Sequence, residues 1–373
     1  MPLDAPTLPH HYFDREIFEQ EQAKIFASGW TFAGLRNELP SDNDYHLTEV
    51  ASIGTIVQNC GGTIRAFRNA CSHRHARILE AERGNRRLVC PYHGWTYDQR
   101  GVPERMAAEI QFPQVLENRD KYALEQFEVA CAGHFIFVRR DRTGPSLPDA
   151  LGSTHEFLEK VSIGLDEKMD EFREGISANW KVVIENALEG YHVPFVHRAT
   201  LGAIRQFSKK PTDVVDHLPA ENGHSYMVNQ ASPEWLGRWL RFESELGSWP
   251  FKFNHYVHQL VFPNLTVTSF MGYSFHIQQF HPVSPSETVV DSRIYSVKCE
   301  GQSEKGRAIM RSVYDEGRAF TRKVFGEDRR VCELVQNGIR HATKHAVLAN
   351  HLEKRIAHFQ KSYLRALSQS GSA

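Results

Sequence analysis

Four metal-binding side chains stand out by the way they are paired. Cys71-Ser72-His73 sets a thiol and an imidazole two positions apart, and Cys90-Pro91-Tyr92-His93 repeats the pairing with one more residue between them. A [2Fe–2S] cluster held by two thiolates on one iron and two imidazoles on the other uses this donor set. Its neutral imidazoles raise its potential above that of an all-cysteine cluster. Zinc also takes two Cys and two His, but its usual spacings pair like with like, C-x₂₋₄-C followed by H-x₃₋₅-H. Here each pair is mixed. Each loop then reaches both irons, and two hairpin tips clamp one cluster.

A second constellation lies within residues 179–197. Asn179 is a good N-cap, and the pattern predicts a helix from Trp180 through His192, ended by Pro194, which cannot donate the next helical hydrogen bond. Glu185, Glu189 and His192 stand at i, i+4 and i+7 and share a face of that helix. His197 follows five residues later, where the chain can fold back toward the same point. Two imidazoles and one distant carboxylate form the facial triad that holds Fe(II) and leaves positions open. H-x₄-H alone is a weak signal, and it gains weight from the cluster motif upstream in the same chain. Spacing alone does not separate Asp315, Glu327, Asp328 and Glu333 as the carboxylate.

Ala70-Cys71-Ser72-His73-Arg74 and Cys90-Pro91-Tyr92-His93-Gly94-Trp95-Thr96-Tyr97-Asp98 resemble the cluster loops of the Rieske non-haem iron oxygenases, large (α) subunit. Asn179-Trp180-Lys181, Glu185-Asn186, Glu189, Tyr191-His192 and His197 resemble that family's N-W-K…E-N…[DE]-x-Y-H-x₄-H pattern, and the segment Glu327–Glu333 resembles its downstream acidic segment. One position departs: the family continues C-x-H-R-G, and this chain has His75 in place of the glycine. The resemblance implies a [2Fe–2S] cluster on Cys71, His73, Cys90 and His93, and a mononuclear Fe²⁺ on His192, His197 and Asp328. It further implies that Glu189 bridges His192 and the partner subunit's His93 in a head-to-tail ring, a homotrimer. The implied activity is that of a terminal oxygenase, using O₂ to hydroxylate or oxidatively demethylate a small organic substrate. Ring dioxygenation and monooxygenation both stay open. No G-x-G-x-x-G occurs, so electrons from NAD(P)H must come from a separate reductase, directly or through a ferredoxin. The competing class is a pure electron-transfer or metal-binding Rieske protein without oxygenase activity, which leaves everything after the first domain unexplained.

The elements that must position these residues are of two textures. Residues 10–29 carry a helical pattern, and residues 30–140 carry short β runs broken by turns, an antiparallel β domain with two metal-bearing tips. Charged, Pro- and Gly-rich residues 141–150 read as a linker. Beyond it, residues 151–373 combine a helical stretch near 149–170, strands at 254–262, 266–271, 274–282 and 288–298, and two helices at about 304–325 and 328–368. In the second of these, Leu352, Ile356, Phe359, Tyr363 and Leu367 form an apolar stripe. The fold class is therefore α+β, an all-β cluster domain followed by an antiparallel sheet gripped by helices. Trp235, Trp239, Trp249, Phe270, Tyr273 and Phe275 offer faces for a quaternary ammonium by cation–π attraction, or simply core packing.

Totals exclude other classes. At 373 residues the chain has room for two cores. A formal charge of −1 gives no nucleic-acid footprint. No run of about 18 apolar residues exists to span a membrane. The start Met1-Pro2-Leu3-Asp4 lacks a signal-peptide pattern, and Cys60, Cys131, Cys299 and Cys332 read as buried thiols of a reducing, cytoplasmic protein.

Overall fold

Alternating apolar residues with turn-forming breaks build the first sheet of the computed structural model, which describes residues 3–4, 6–204, 214–219 and 222–368. Its strands are β1 (Thr31–Leu35), β2 (Asp44–Val50), β3 (Ile53–Cys60), β4 (Thr63–Arg68), β5 (Arg83–Asn85), β6 (Gln126–Ala132) and β7 (Phe135–Arg139). They pair antiparallel in the order β1-β7-β6-β4-β3-β2-β5. The two loops that carry Cys71 and Cys90 rise from this scaffold over one apolar cluster that includes Phe67, Ile78, Leu79, Leu88, Trp95, Tyr97 and Leu124.

The second sheet follows the same antiparallel logic with longer strands: β8 (Leu165–Ile176), β9 (Val214–His217), β10 (Ser225–Gln230), β11 (His255–Val261), β12 (Leu265–Phe270), β13 (Ser274–Ser284) and β14 (Glu287–Val297). Its order is β8-β14-β13-β12-β11-β10-β9. Helices α1 (Trp180–Ala187), α2 (Val193–Val196), α3 (Glu304–Ile339) and α4 (Lys354–Ser368) are the helices of this part that bear on the site. The chain divides into two units, residues 21–159 and a second that joins residues 1–20 to 160–370. The helical pattern of residues 10–29 is thus shared between them. Its last turn is wider than an α-helix, over Gln22–Phe26.

Several expected elements are corrected. The helical stretch near 149–170 ends at Gly164, and the highly charged Leu165–Ile176 is a strand at the sheet edge. Its charges hid it, because an edge strand needs only one apolar face; Phe172 is buried while Asp166, Glu167 and Arg173 are exposed. The two C-terminal helices divide elsewhere. α3 runs unbroken through Gly326 and stops at Ile339, and α4 begins only at Lys354. Leu352 therefore precedes the helix and is exposed, while Ile356, Phe359 and Tyr363 are buried as the stripe requires. Cys131 and Cys299 are only half-buried.

Asn69 organises the first metal-bearing loop. Its buried carboxamide accepts from the backbone N–H of Ile78 (2.9 Å) and Leu79 (3.0 Å) and donates to the Leu79 carbonyl (2.7 Å). Asn69→Ala strands these groups and is expected to cost about 2–3 kcal/mol. The check is a lowered urea midpoint, with faster bleaching of any cluster absorbance in that loop.

Two candidate metal centres

In the first unit, each tip is a tight turn closed by its own backbone. His75 N–H donates to the Cys71 carbonyl at 2.8 Å, and Cys71 N–H to the Ala76 carbonyl at 2.9 Å. Cys90 N–H donates to Trp95 O at 2.8 Å, and Gly94 N–H to Cys90 O at 3.0 Å. Gly94 takes φ +68°, in the left-handed region. His75, where the resembled family has glycine, also sits there at φ +61°. Glycine at that position is a backbone requirement, and the histidine meets it under strain.

These turns bring the four sequence-predicted residues together. Cys71 and Cys90 are buried, and the His73 and His93 rings lie 4.7 Å apart. His73 stacks on Trp95 at 5.0 Å and 4°. Phe112 meets His73 edge-on. Tyr97 hydroxyl lies 3.0 Å from the Cys71 sulfur and accepts the Ser72 N–H at 3.1 Å. Burial, with His93 and Arg74 adding to it, lowers the His73 pKa and so disfavours the protonated ring. Nδ1 of His73 and Nδ1 of His93 are both buried with no hydrogen-bond partner. A buried polar atom left open costs about 1–3 kcal/mol, and ligation to iron satisfies both. This donor set fits the [2Fe–2S] group.

In the second unit the expected continuous helix is replaced by a break. α1 stops at Ala187 with Leu188 N–H bonded back to Ile184 and Glu185. The Glu189 carboxylate then accepts the backbone N–H groups of Tyr191 and His192 itself, a local cap that competes with helix continuation. Pro194 does not end a helix; it falls in the first turn of α2, where its missing N–H has no cost. Glu189 and His192 therefore meet through this loop rather than along a helix face.

The loop brings three donors to one point. His192 Nε2 lies 3.2 Å from His197 Nε2. Asp328 Oδ1 is 3.0 Å from His197 Nε2 and 3.5 Å from His192 Nε2. Among the described residues these three form a group of ligating atoms all within 4.8 Å. Each imidazole is held at its other nitrogen by a carboxylate: His192 Nδ1 by Glu189 and His197 Nδ1 by Glu327 at 2.8 Å. Those partners place the ring protons on Nδ1. Both Nε2 atoms and an anionic oxygen then face one another, an arrangement that requires a cation among them: a proton on His192 in the metal-free chain, or a metal that displaces it. Donors at right angles on ~2.1 Å bonds stand roughly 3 Å apart, so the spacing fits a metal on one triangular face. Asn186 donates to Asp328 at 2.9 Å. Burial opposes charge on His192, but its bonds to Asp328 and Glu189 prevail and raise its pKa to about 9. Against the same burial, the two histidines and Asn186 hold Asp328 at about 2.

The alternatives left open by spacing now separate. Asp315 is exposed and pairs with Arg318, and Glu333 pairs with Arg329 and accepts Ser177 N–H. Glu185 points away from the three donors, to Tyr12 hydroxyl at 2.7 Å and Gln360 at 3.0 Å. Among the six aromatic candidates the described contacts are pairwise. Trp239 stacks on Tyr273 at 4.6 Å, Trp235 meets Phe270 at 5.9 Å, and Phe275 packs on Phe251. Trp239 and Trp249 line a cavity of about 390 Å³ with Leu236, Leu240 and Met271, and the Lys252 ammonium stands over the Trp249 ring at 5.6 Å. Sequence reasoning missed Asn186 as an anchor of Asp328 and gave Thr200 no part; Thr200 lies just beyond His197 with no motif to mark it.

Residues 29–116 match the Rieske [2Fe-2S] domain and residues 156–369 match the ring hydroxylating alpha subunit (catalytic domain). Glycine betaine monooxygenase oxygenase subunit of Pseudomonas aeruginosa is 29% identical over 56% of this chain and 48% of its own length. The chain thus spans about half the length of that relative. Choline monooxygenase of Atriplex hortensis is 28% identical over 95% of this chain and 77% of its own. Among solved structures, naphthalene 1,2-dioxygenase with bound indole superposes with a TM-score of 0.80 at 20% identity, covering 99% and 93%. The quaternary ammonium monooxygenase CntA with L-carnitine gives 0.77 at 20%, covering 98% and 96%. At that identity the likeness is one of fold.

Two outcomes are expected. His75→Gly relieves the left-handed strain and raises the unfolding free energy by about 1 kcal/mol, measured by urea titration. In metal-free protein, His192 keeps its extra proton until about pH 9, and metal must displace it. Fe(II) affinity should therefore rise about tenfold per pH unit below 9, read by chelator competition at several pH values.

Proposed function

Because the chain belongs to the family of ring-hydroxylating α subunits, we propose that it is the terminal oxygenase of a Rieske-type system acting on a small organic substrate. The observation that carries this reading is the convergence of His192 Nε2, His197 Nε2 and Asp328 Oδ1 in a chain that also holds a Rieske domain. An electron carrier needs no such triangle.

When bound, the cluster supplies single electrons and the mononuclear iron supplies the site at which O₂ is reduced and oxygen transferred to substrate. The chain's own residues set the conditions. Cys71, His73, Cys90 and His93 hold the cluster, with residues 30–140 as its domain. Trp95 and Phe112 fix the His73 ring, and the Tyr97 hydroxyl beside the Cys71 sulfur favours the more negative, reduced state. Residues 151–373, after the 141–150 linker, hold Fe²⁺ on His192, His197 and Asp328. Glu189 keeps the His192 proton on Nδ1 and remains the group through which a neighbouring subunit's cluster is coupled. Tyr191 and Phe195, 52% and 63% exposed, flank this loop and suit an apolar contact in a homotrimer. Electrons arrive from an NAD(P)H-dependent reductase, directly or through a ferredoxin. No described helix is long and apolar enough to cross a membrane, and all six cysteines are free thiols, which fits a cytoplasmic setting.

Metal analysis and EPR of anaerobically purified, dithionite-reduced protein test this. Two cluster irons plus one mononuclear iron predict about three per chain, with a rhombic signal from mixed His/Cys ligation. His192→Ala should keep that signal and lower the count to about two. A count of two in the parent that His192→Ala leaves unchanged means an electron carrier instead.

A further inference from the structure

Adjacent carboxylates on α3 engage opposite edges of one imidazole. Asp328 Oδ1 stands 3.0 Å from His197 Nε2, and Glu327 Oε2 stands 2.8 Å from His197 Nδ1. Successive residues on an α-helix point about 100° apart, so one turn of backbone straddles the ring. Glu327 is itself anchored, because the Thr200 hydroxyl donates to the same Oε2 at 2.6 Å. Thr200 N–H in turn bonds the His197 carbonyl at 3.1 Å, which closes the loop between histidine and carboxylate. His197 is 1% exposed. With its Nδ1 edge occupied it has one orientation, and one tautomer, to offer at Nε2.

We propose that Glu327 is the positioning residue for His197, holding its proton on Nδ1 and strengthening Nε2 as a donor, with Thr200 fixing the carboxylate. Glu189 serves His192 at the other ring, so each histidine of the triangle has its own acid. The two acids differ in their backing. Glu189 is tied by backbone N–H groups of its own loop, whereas Glu327 is tied to a hydroxyl that moves with the His197 segment. A carboxylate on the far nitrogen gives the imidazole partial imidazolate character, which favours the higher oxidation state of a bound metal.

This rests on the iron-site reading given above, and its test reads metal binding separately from turnover. In the full chain carrying its cluster, Fe(II) affinity is measured by chelator competition for the parent, Glu327→Gln, Glu327→Asp and Thr200→Val. Glu327→Gln should weaken binding about 10–100-fold, raise the Fe(III)/Fe(II) midpoint and alter the EPR spectrum of the nitrosyl adduct, while the cluster spectrum stays fixed. Glu327→Asp should recover part of the affinity, and Thr200→Val should show a smaller shift in the same direction. Unchanged affinity and nitrosyl spectrum in Glu327→Gln, or loss of all mononuclear iron as complete as in Asp328→Ala, overturns the assignment; the second result makes Glu327 a ligand. If Glu327→Gln does not fold, the Thr200→Val affinity decides. A parent that binds no mononuclear iron refutes the oxygenase reading itself, a result that no variant can mimic.

Discussion

Three electron-rich atoms that converge on one point and require a cation among them, proton or metal, are the constraint on which the second unit depends. His192 Nε2, His197 Nε2 and Asp328 Oδ1 lie 3.0–3.5 Å apart, closer than like partial charges tolerate without a cation. The surroundings supply what makes that cluster persist in the folded chain. Carboxylates on the far edges fix the tautomers, Asn186 donates to Asp328, and His197 is sealed from solvent. The folded state is thus prepared for a metal by the polarity of its neighbours as much as by the donors themselves.

That preparation extends to the N-terminus. Tyr12 donates to the half-buried Glu185 at 2.7 Å, Gln360 reaches both groups at 3.0 Å, and Gln336 donates to the Tyr12 carbonyl at 3.0 Å. Lys181, fully buried, lies near the rings of Tyr12, Trp180 and Tyr363 at 4.9–5.3 Å. Burial raises Glu185 to about 7. Breaking a buried polar set of this kind costs far more than its formation contributes. These contacts seat α1 against α3 and α4, so residues far from the metal in sequence determine where His192 begins its turn.

Much of this was legible in the residues, and the gaps have physical reasons. The Cys71/His73 and Cys90/His93 pairs, and His192 with His197, were readable because ligand chemistry demands those types at short spacing. Asp328 is marked only by resemblance, since a carboxylate more than a hundred positions away has no local signature. β8 was lost among its charges, because an edge strand shows solvent what a helix would also show. The break at Leu188–Tyr191 was lost because periodicity cannot see a side chain that caps its own backbone. Glycine's absence at position 75 was visible, but its meaning waited for a dihedral angle.

Helix α3 spans 36 residues, roughly 54 Å at 1.5 Å per residue, without interruption. Glu327 and Asp328 sit far along it, with Phe325 buried against Phe172 just before them. A single substitution in that rod touches one side chain. A single inserted or deleted residue anywhere between its start and Phe325 turns everything downstream by about 100° and removes both acids from His197 together. The segment thus has a reading frame in space: a change of length between Glu304 and Phe325 displaces both acids at once, whereas a substitution on the exposed face of the helix leaves both where they are.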